Sequence, residues 1–84
     1  MLILYDYENA LMDVALCFNS VYRKYCHPET REQCTIVMNK LEAFKCKFHD
    51  LYVQAVNNGN SEDLISIYKT CVDEFNDFKT QYGV

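Results

Sequence analysis

The chain has 84 residues, of which 50% are apolar and 14% are aromatic, and its net charge at neutral pH is −4. Two glycines and one proline argue against a disordered or low-complexity chain. The sequence has no basic cluster, so we expect neither nucleic acid nor an anionic membrane surface as a partner. The length corresponds to a single domain over residues 1–84.

The first stretch, MLILYDYEN, has no basic region, and its apolar run ends at Asp6. A run this short fits neither a signal peptide nor a membrane span. We therefore expect a cytoplasmic or nuclear protein that is not secreted. In such a compartment the five cysteines are expected to stay reduced and to behave as small apolar groups.

The first predicted helix covers residues 3–26. Its apolar side chains are separated by three or four positions, which places them on one side of a helix. They are Leu4, Tyr7, Leu11, Val14, Phe18, Val21 and Tyr25. Arg23 and Lys24 near its end suit the negative pole of the helix dipole.

The second predicted helix covers residues 29–57. Pro28 is suited to the first turn of a helix, where its missing N–H costs nothing, and Glu29 and Glu32 place negative charge at the positive helix end. The predicted core positions of this helix are Cys34, Val37, Leu41, Phe44, Phe48, Leu51 and Ala55.

The third predicted helix covers residues 61–81 and follows the turn NNGNSED. In this turn Gly59 can adopt positive φ, and Asn60 or Ser61 can cap the helix. Its predicted core positions are Leu64, Tyr68, Cys71, Phe75, Phe78 and Tyr82. No segment sustains the alternation typical of strands. Because both connections are short, the sequence predicts an all-α fold, an antiparallel up-down-up three-helix bundle.

One segment carries a short resemblance to known helical families. GNSEDLISIY, residues 59–68, resembles the start of a tetratricopeptide-repeat helix and is similar to the last helix of some microtubule-interacting-and-transport domains. No second copy follows at the roughly 34-residue period of such repeats. We interpret the motif as a turn followed by an apolar stripe, and it assigns no family.

The first helix carries a second apolar face. Rotation by about 100° per residue places Leu2, Tyr5, Met12 and Leu16 opposite its predicted core side. One interpretation is that the helix is rotated or central, so that the domain itself buries both sides. The other is that a further chain covers this face, since exposed apolar patches with polar borders are typical contact sites.

Two groups of residues contain side chains that commonly bind metal ions. Cys26, His27 and Cys34 form one group, and Cys46 and His49 form the other. Cys46 follows Cys34 by 12 residues, which is about 18 Å along a helix at roughly 1.5 Å per residue, so the groups cannot share an ion. Three ligands without a Cys-x₂-Cys knuckle make a poor zinc site. We expect no metal and no cofactor.

The remaining chemistry is sparse. Cys46 is predicted to be the most exposed thiol, and the sequence leaves open whether Cys26 and Cys34 ever form a disulfide. The chain has no glycine-rich phosphate loop, no nucleophile elbow and no paired carboxylates on a core face. We therefore expect no enzymatic activity.

The sequence thus favours a small non-enzymatic protein–protein interaction module. It is predicted to bind a helical protein or to self-associate as a homo-oligomer through Leu2, Tyr5, Met12 and Leu16. The alternative is a structural or scaffold subunit of a larger assembly such as a virus particle. A minor alternative is a metal- or redox-responsive helical protein.

Overall fold

A computed structural model describes residues 4–84, which form three long α-helices and no strand. Helix α1 spans Leu4–Lys24, α2 spans Arg31–Asn58 and α3 spans Glu62–Tyr82. A short 3-10 helix, Pro28–Thr30, leads into α2. The predicted all-α class is confirmed. None of the helices in this part of the chain is long and apolar enough to cross a membrane.

The proline sets the boundary between the first two helices. The residue before a proline is pushed towards extended backbone, and His27 has φ −89° and ψ 146°. Helix α1 ends before this residue, at Lys24, two residues before the predicted end. Pro28 begins the 3-10 helix, and the regular α-helix starts only at Arg31.

The second connection is tight because its residues suit it. Gly59 has φ 77°, a value that a side chain would disfavour, and its N–H donates to the Ala55 carbonyl. Ser61 then caps α3, its Oγ accepting from the Leu64 N–H at 3.1 Å. The helix begins at Glu62, within one residue of the predicted start.

One apolar core runs between the helices. All three helices contribute buried residues to it, and the fully buried ones lie on α1 and α2: Tyr7, Val14, Val21, Val37, Leu41 and Phe48. Aromatic rings join α2 to α3: Phe44 lies 5.2 Å from Phe75 and 5.4 Å from Phe78, centroid to centroid. Tilted ring contacts of this kind stabilise the fold by more than the burial of their apolar area alone.

The buried side of α1 differs from the predicted one. Leu4, predicted as a core residue, is 42% exposed, and Leu11 and Phe18 are only half-buried. Ala10 and Cys17 are buried instead. The physical reason is that α1 contacts both other helices, so the residues that face the space between α2 and α3 are the ones that become buried. Leu4, Leu11 and Phe18 lie at one edge of this buried strip.

At one end of the molecule, side chains join the beginning of α1 to the other helices. The rings of Tyr7 and Tyr68 lie 4.9 Å apart, and the Tyr7 hydroxyl donates to Asn60 Oδ1 at 2.9 Å. Tyr52, near the end of α2, donates to Glu8 Oε1 at 3.1 Å. The beginning of α1 is therefore held by the end of α2 and the beginning of α3.

At the other end, the last residues of α1 meet the last residues of α3. The Lys24 ammonium donates to the Tyr82 carbonyl. Lys40, in the first half of α2, lies over the Tyr82 ring at 6.0 Å. The Cα atoms extend over 45 × 19 × 16 Å, so the molecule is about as long as its longest helix.

Candidate functional site

The candidate site is the outer face of α1, defined here by Tyr5, Met12 and Leu16. Their exposed fractions are 62%, 64% and 60%. The spacing of seven and then four residues aligns them along one side of the helix. The domain itself therefore leaves this face uncovered. Leu2, the fourth residue predicted for it, lies outside the described residues.

The opposite side of the same helix is tightly packed. Tyr7, Val14 and Val21 are each at most 1% exposed, and they follow one another at intervals of seven residues. These three lie nearly half a turn from Met12 and Leu16. As a result, the outer face points away from α2 and α3, where another helix can approach it.

Polar residues continue and border this face. Asn9, Asn19 and Arg23 are exposed and lie on the same side of α1 as Met12. Asp13 lies at one edge, and its Oδ2 is 3.9 Å from the Lys79 ammonium of α3. Apolar groups bordered by polar and charged ones are the usual composition of a protein contact surface.

Hydrogen bonds from the neighbouring helices fix the rotation of α1. The Tyr68 hydroxyl donates to the Asp6 carbonyl at 3.1 Å, and Tyr52 holds Glu8 from the other side. This bond to the Glu8 carboxylate also raises the pKa of Tyr52. With both edges of α1 held, the outer face is a preorganised surface.

Exposed apolar side chains also occur beyond the three residues of the outer face. Tyr22 on α1 is 69% exposed, and Ile36, Val56 and Ile67 on the other helices are each more than half exposed. The contact face predicted from the sequence includes none of these four residues. Tyr22 follows the buried Val21, and Ile67 precedes the predicted core position Tyr68, so no spacing signal marks either residue.

A groove of about 340 Å³ lies on the surface between α2 and α3. Ile67 and the buried Cys71 line it from α3, and Leu51 lines it from α2. Lys47 and Glu74 at its rim form an exposed ion pair at 3.6 Å. Exposed pairs of this kind contribute at most about 1 kcal/mol to stability.

The turn between α1 and α2 brings the first predicted ligand group together. Cys26, His27 and Cys34 all line a pocket of about 260 Å³, together with Arg31. Nevertheless, within residues 4–84 no three His, Cys, Asp or Glu side chains are arranged so that they could hold a metal ion. The pocket therefore gathers these side chains without forming a coordination site.

The five cysteines are all free thiols in different environments. Cys46 and Cys26 are both exposed, and the exposure of Cys26 was not predicted from the sequence. Cys17 and Cys71 are buried, and burial raises the pKa of both thiols. A raised pKa suppresses the reactive thiolate at neutral pH, which suits groups whose role is packing.

Comparison with family models, with curated proteins and with solved structures finds no match to this chain.

Proposed function

We propose that this chain is a small non-enzymatic protein–protein interaction module that docks through the outer face of α1. The observation that carries the proposal is the line of Tyr5, Met12 and Leu16, each at least 60% exposed on a helix whose other side is fully packed. Burying one large apolar side chain contributes roughly 1.5–3 kcal/mol, so a partner that covers all three gains substantially.

The partner chemistry follows from the shape of the surface. A straight apolar line on one helix matches an apolar line on another helix, in the manner of helix packing between chains. Tyrosine and methionine suit such contacts because a tyrosine ring is rigid and amphipathic, whereas a methionine side chain adapts its shape. The proposed partner is a helical protein or a second copy, in the cytoplasm or nucleus.

The proposal includes an antiparallel up-down-up bundle as the scaffold. Two contacts support it: Tyr52 near the end of α2 bonds Glu8 near the beginning of α1, and Lys24 at the end of α1 bonds Tyr82 at the end of α3. In such a bundle α1 is an outer helix, because three helices leave each one with a free side.

The test combines size-exclusion chromatography and light scattering with affinity capture. Met12→Glu with Leu16→Glu should abolish self-association or partner capture, because two carboxylates would have to be desolvated at the contact. The matched control is Ile36→Glu with Ile67→Glu, which alters two other apolar residues that are more than half exposed and should leave binding intact. If the outer-face variant folds and binds as the wild type does, the proposal is wrong.

A second candidate is a scaffold subunit of a larger assembly such as a virus particle. The observation that favours it is the further exposure of Ile36, Val56 and Ile67, which would give contacts on several sides. The two candidates differ in solo behaviour. The module should remain soluble and unfold cooperatively. The subunit should precipitate, and the Ile36→Glu, Ile67→Glu variant should then be more soluble than the wild type.

A further inference from the structure

The surface of α1 matches itself when it is turned end over end. The residues along its outer side, Tyr5, Asn9, Met12, Leu16, Asn19 and Arg23, are all exposed. They are separated by four, three, four, three and four positions, a series that is the same in both directions. The midpoint of this series is level with position 14 along the helix, and the side chain of Val14 itself is buried on the opposite side.

We propose that the partner of the outer face is a second copy of this chain. The two α1 helices pack antiparallel about a two-fold axis that passes level with position 14 of each helix. This inference rests on the proposed function and names its occupant. A two-fold dimer requires one surface that is complementary to itself, and the symmetric spacing meets that requirement. Alternating steps of three and four residues also suit helices that cross at about 20°.

The residues that meet across this axis are chemically matched. Met12 lies against Leu16 of the partner, which buries the centre of the contact. Asn9 lies against Asn19 of the partner, and two amide side chains can each donate to and accept from the other. A buried amide pair of this kind specifies register, because any other register leaves the amides unsatisfied.

The two ends of α1 carry opposite charge, which favours the antiparallel orientation. Glu8 lies near the beginning of the helix, and Arg23 lies at its end. In the proposed register Arg23 lies level with the partner's Tyr5 and about 4.5 Å along the axis from its Glu8, at roughly 1.5 Å per residue. The guanidinium can contact both the ring and the carboxylate. A parallel pair would instead place like charges together.

Near the axis one group opposes the contact. Asp13 of each copy lies on the edge that faces Asp13 of the other. The Lys79 ammonium, 3.9 Å from Asp13 Oδ2, supplies a counter-charge within each copy. One helix from each copy makes a small interface, so we expect a Kd on the order of micromolar and a dimer that dissociates on dilution.

The register is tested with a short bismaleimide cross-linker in a Cys26→Ser, Cys46→Ser background. Ala15→Cys places the two thiols about 3 Å apart along the axis, and the control Tyr22→Cys, on the same edge, places them about 24 Å apart. Efficient cross-linking of Ala15→Cys alone is expected. Equal cross-linking of both variants, or of Tyr22→Cys alone, contradicts the register.

The partner's identity is tested by complementary charge reversal, measured by sedimentation velocity over a range of concentrations. Glu8→Lys and Arg23→Glu should each weaken self-association about tenfold, since each creates two like-charged contacts per dimer. When they are mixed, one carrying a C-terminal tag, a one-to-one heterodimer should form. Lys69→Glu and Asp73→Lys on α3 are the matched pair, and they should self-associate as the wild type does without preferring each other.

The outcomes separate this inference from the proposed function. A wild-type chain that is monomeric at all concentrations overturns the dimer. If the Met12→Glu, Leu16→Glu variant then still loses capture of another protein, the proposed function stands with a different occupant. A dimer that survives that double substitution overturns both. Charge variants that dimerise as tightly as wild type, with no heterodimer on mixing, overturn the antiparallel register.

Discussion

The two sides of α1 are both apolar, yet the fold uses only one of them. Tyr7, Val14 and Val21 are almost completely buried, whereas Met12 and Leu16, only a few positions away, are 64% and 60% exposed. The difference shows that side-chain type alone does not decide burial in a domain this small. Position around the helix decides it, because α2 and α3 cover one side of α1.

This contrast also separates stability from binding. Substitutions on the inner side should act on the free energy of unfolding, since they leave a cavity or a buried polar group. Substitutions on the outer side should act on association and leave the fold intact. The following predictions compare the two sides, from the largest expected effect to the smallest.

The largest contrast should come from a charge placed on either side. Val14→Asp buries an unpaired carboxylate and should lower the free energy of unfolding by more than about 4 kcal/mol, close to the whole stability of a small domain. Leu16→Asp should change it by less than about 0.5 kcal/mol. Urea unfolding followed by circular dichroism measures both, and similar losses for the two variants would contradict the contrast.

Exposed and buried thiols should also differ, in the rate at which they react. Cys46 is exposed, and Cys17 is buried on the inner side of α1. If Cys17 reacts only after unfolding, a stability of about 5 kcal/mol slows it on the order of several thousandfold. Ellman's reagent at neutral pH, with the modified cysteines located by mass spectrometry, measures this ratio. Comparable rates for the two thiols would mean that the inner side opens locally.

Alkaline pH should lower the stability of the core. Burial raises the pKa of Tyr7 and Tyr68 above the ordinary value of 10.0, and the pKa of Cys17 and Cys71 above 9.0. The unfolded chain therefore ionises first as pH rises. The stability gained from keeping these groups neutral in the folded state is complete below about pH 9 and is lost progressively above it.

The measurement is the urea midpoint between pH 7.5 and 10.5. It should fall with rising pH, and Tyr7→Phe should make the fall shallower because one of the ionising groups is removed. A midpoint that is constant over this range, or that rises, disagrees with burial of these groups.

The smallest contrast compares two tyrosines on opposite sides. Tyr7→Phe removes the hydroxyl that donates to Asn60 Oδ1 at 2.9 Å and should cost about 1 kcal/mol. Tyr5→Phe removes a hydroxyl from an exposed ring and should be neutral for folding. Chemical denaturation of the two variants, with wild type alongside, measures the difference. Equal effects would show that the Tyr7 bond contributes nothing.

Much of the helix pattern was predictable from local sequence. The spacing of apolar residues in α2 predicts Val37, Leu41 and Phe48 as core residues, and all three are fully buried. The prediction was weaker in α1, where Leu4 is exposed and Ala10 is buried. A small residue such as alanine gives little periodic signal, and its burial depends on where the neighbouring helix lies.

The candidate site was predictable in part for the same reason. Periodicity alone places Tyr5, Met12 and Leu16 on a common side of α1, but it leaves two interpretations, burial within the domain or exposure. The packing of α1 leaves all three exposed. The exposure of Tyr22 gave no sequence signal, because its position just beside the buried Val21 depends on the rotation of the helix.

By itself, then, the sequence determined three helices, the turns between them and the existence of a second apolar face, because propensity, capping and periodicity act over a few residues. The tertiary structure decided how far α1 is rotated, which of its residues are buried and which thiols are accessible. Those features depend on contacts between residues far apart in the chain, such as Tyr7 with Asn60 and Lys24 with Tyr82, which no local pattern encodes.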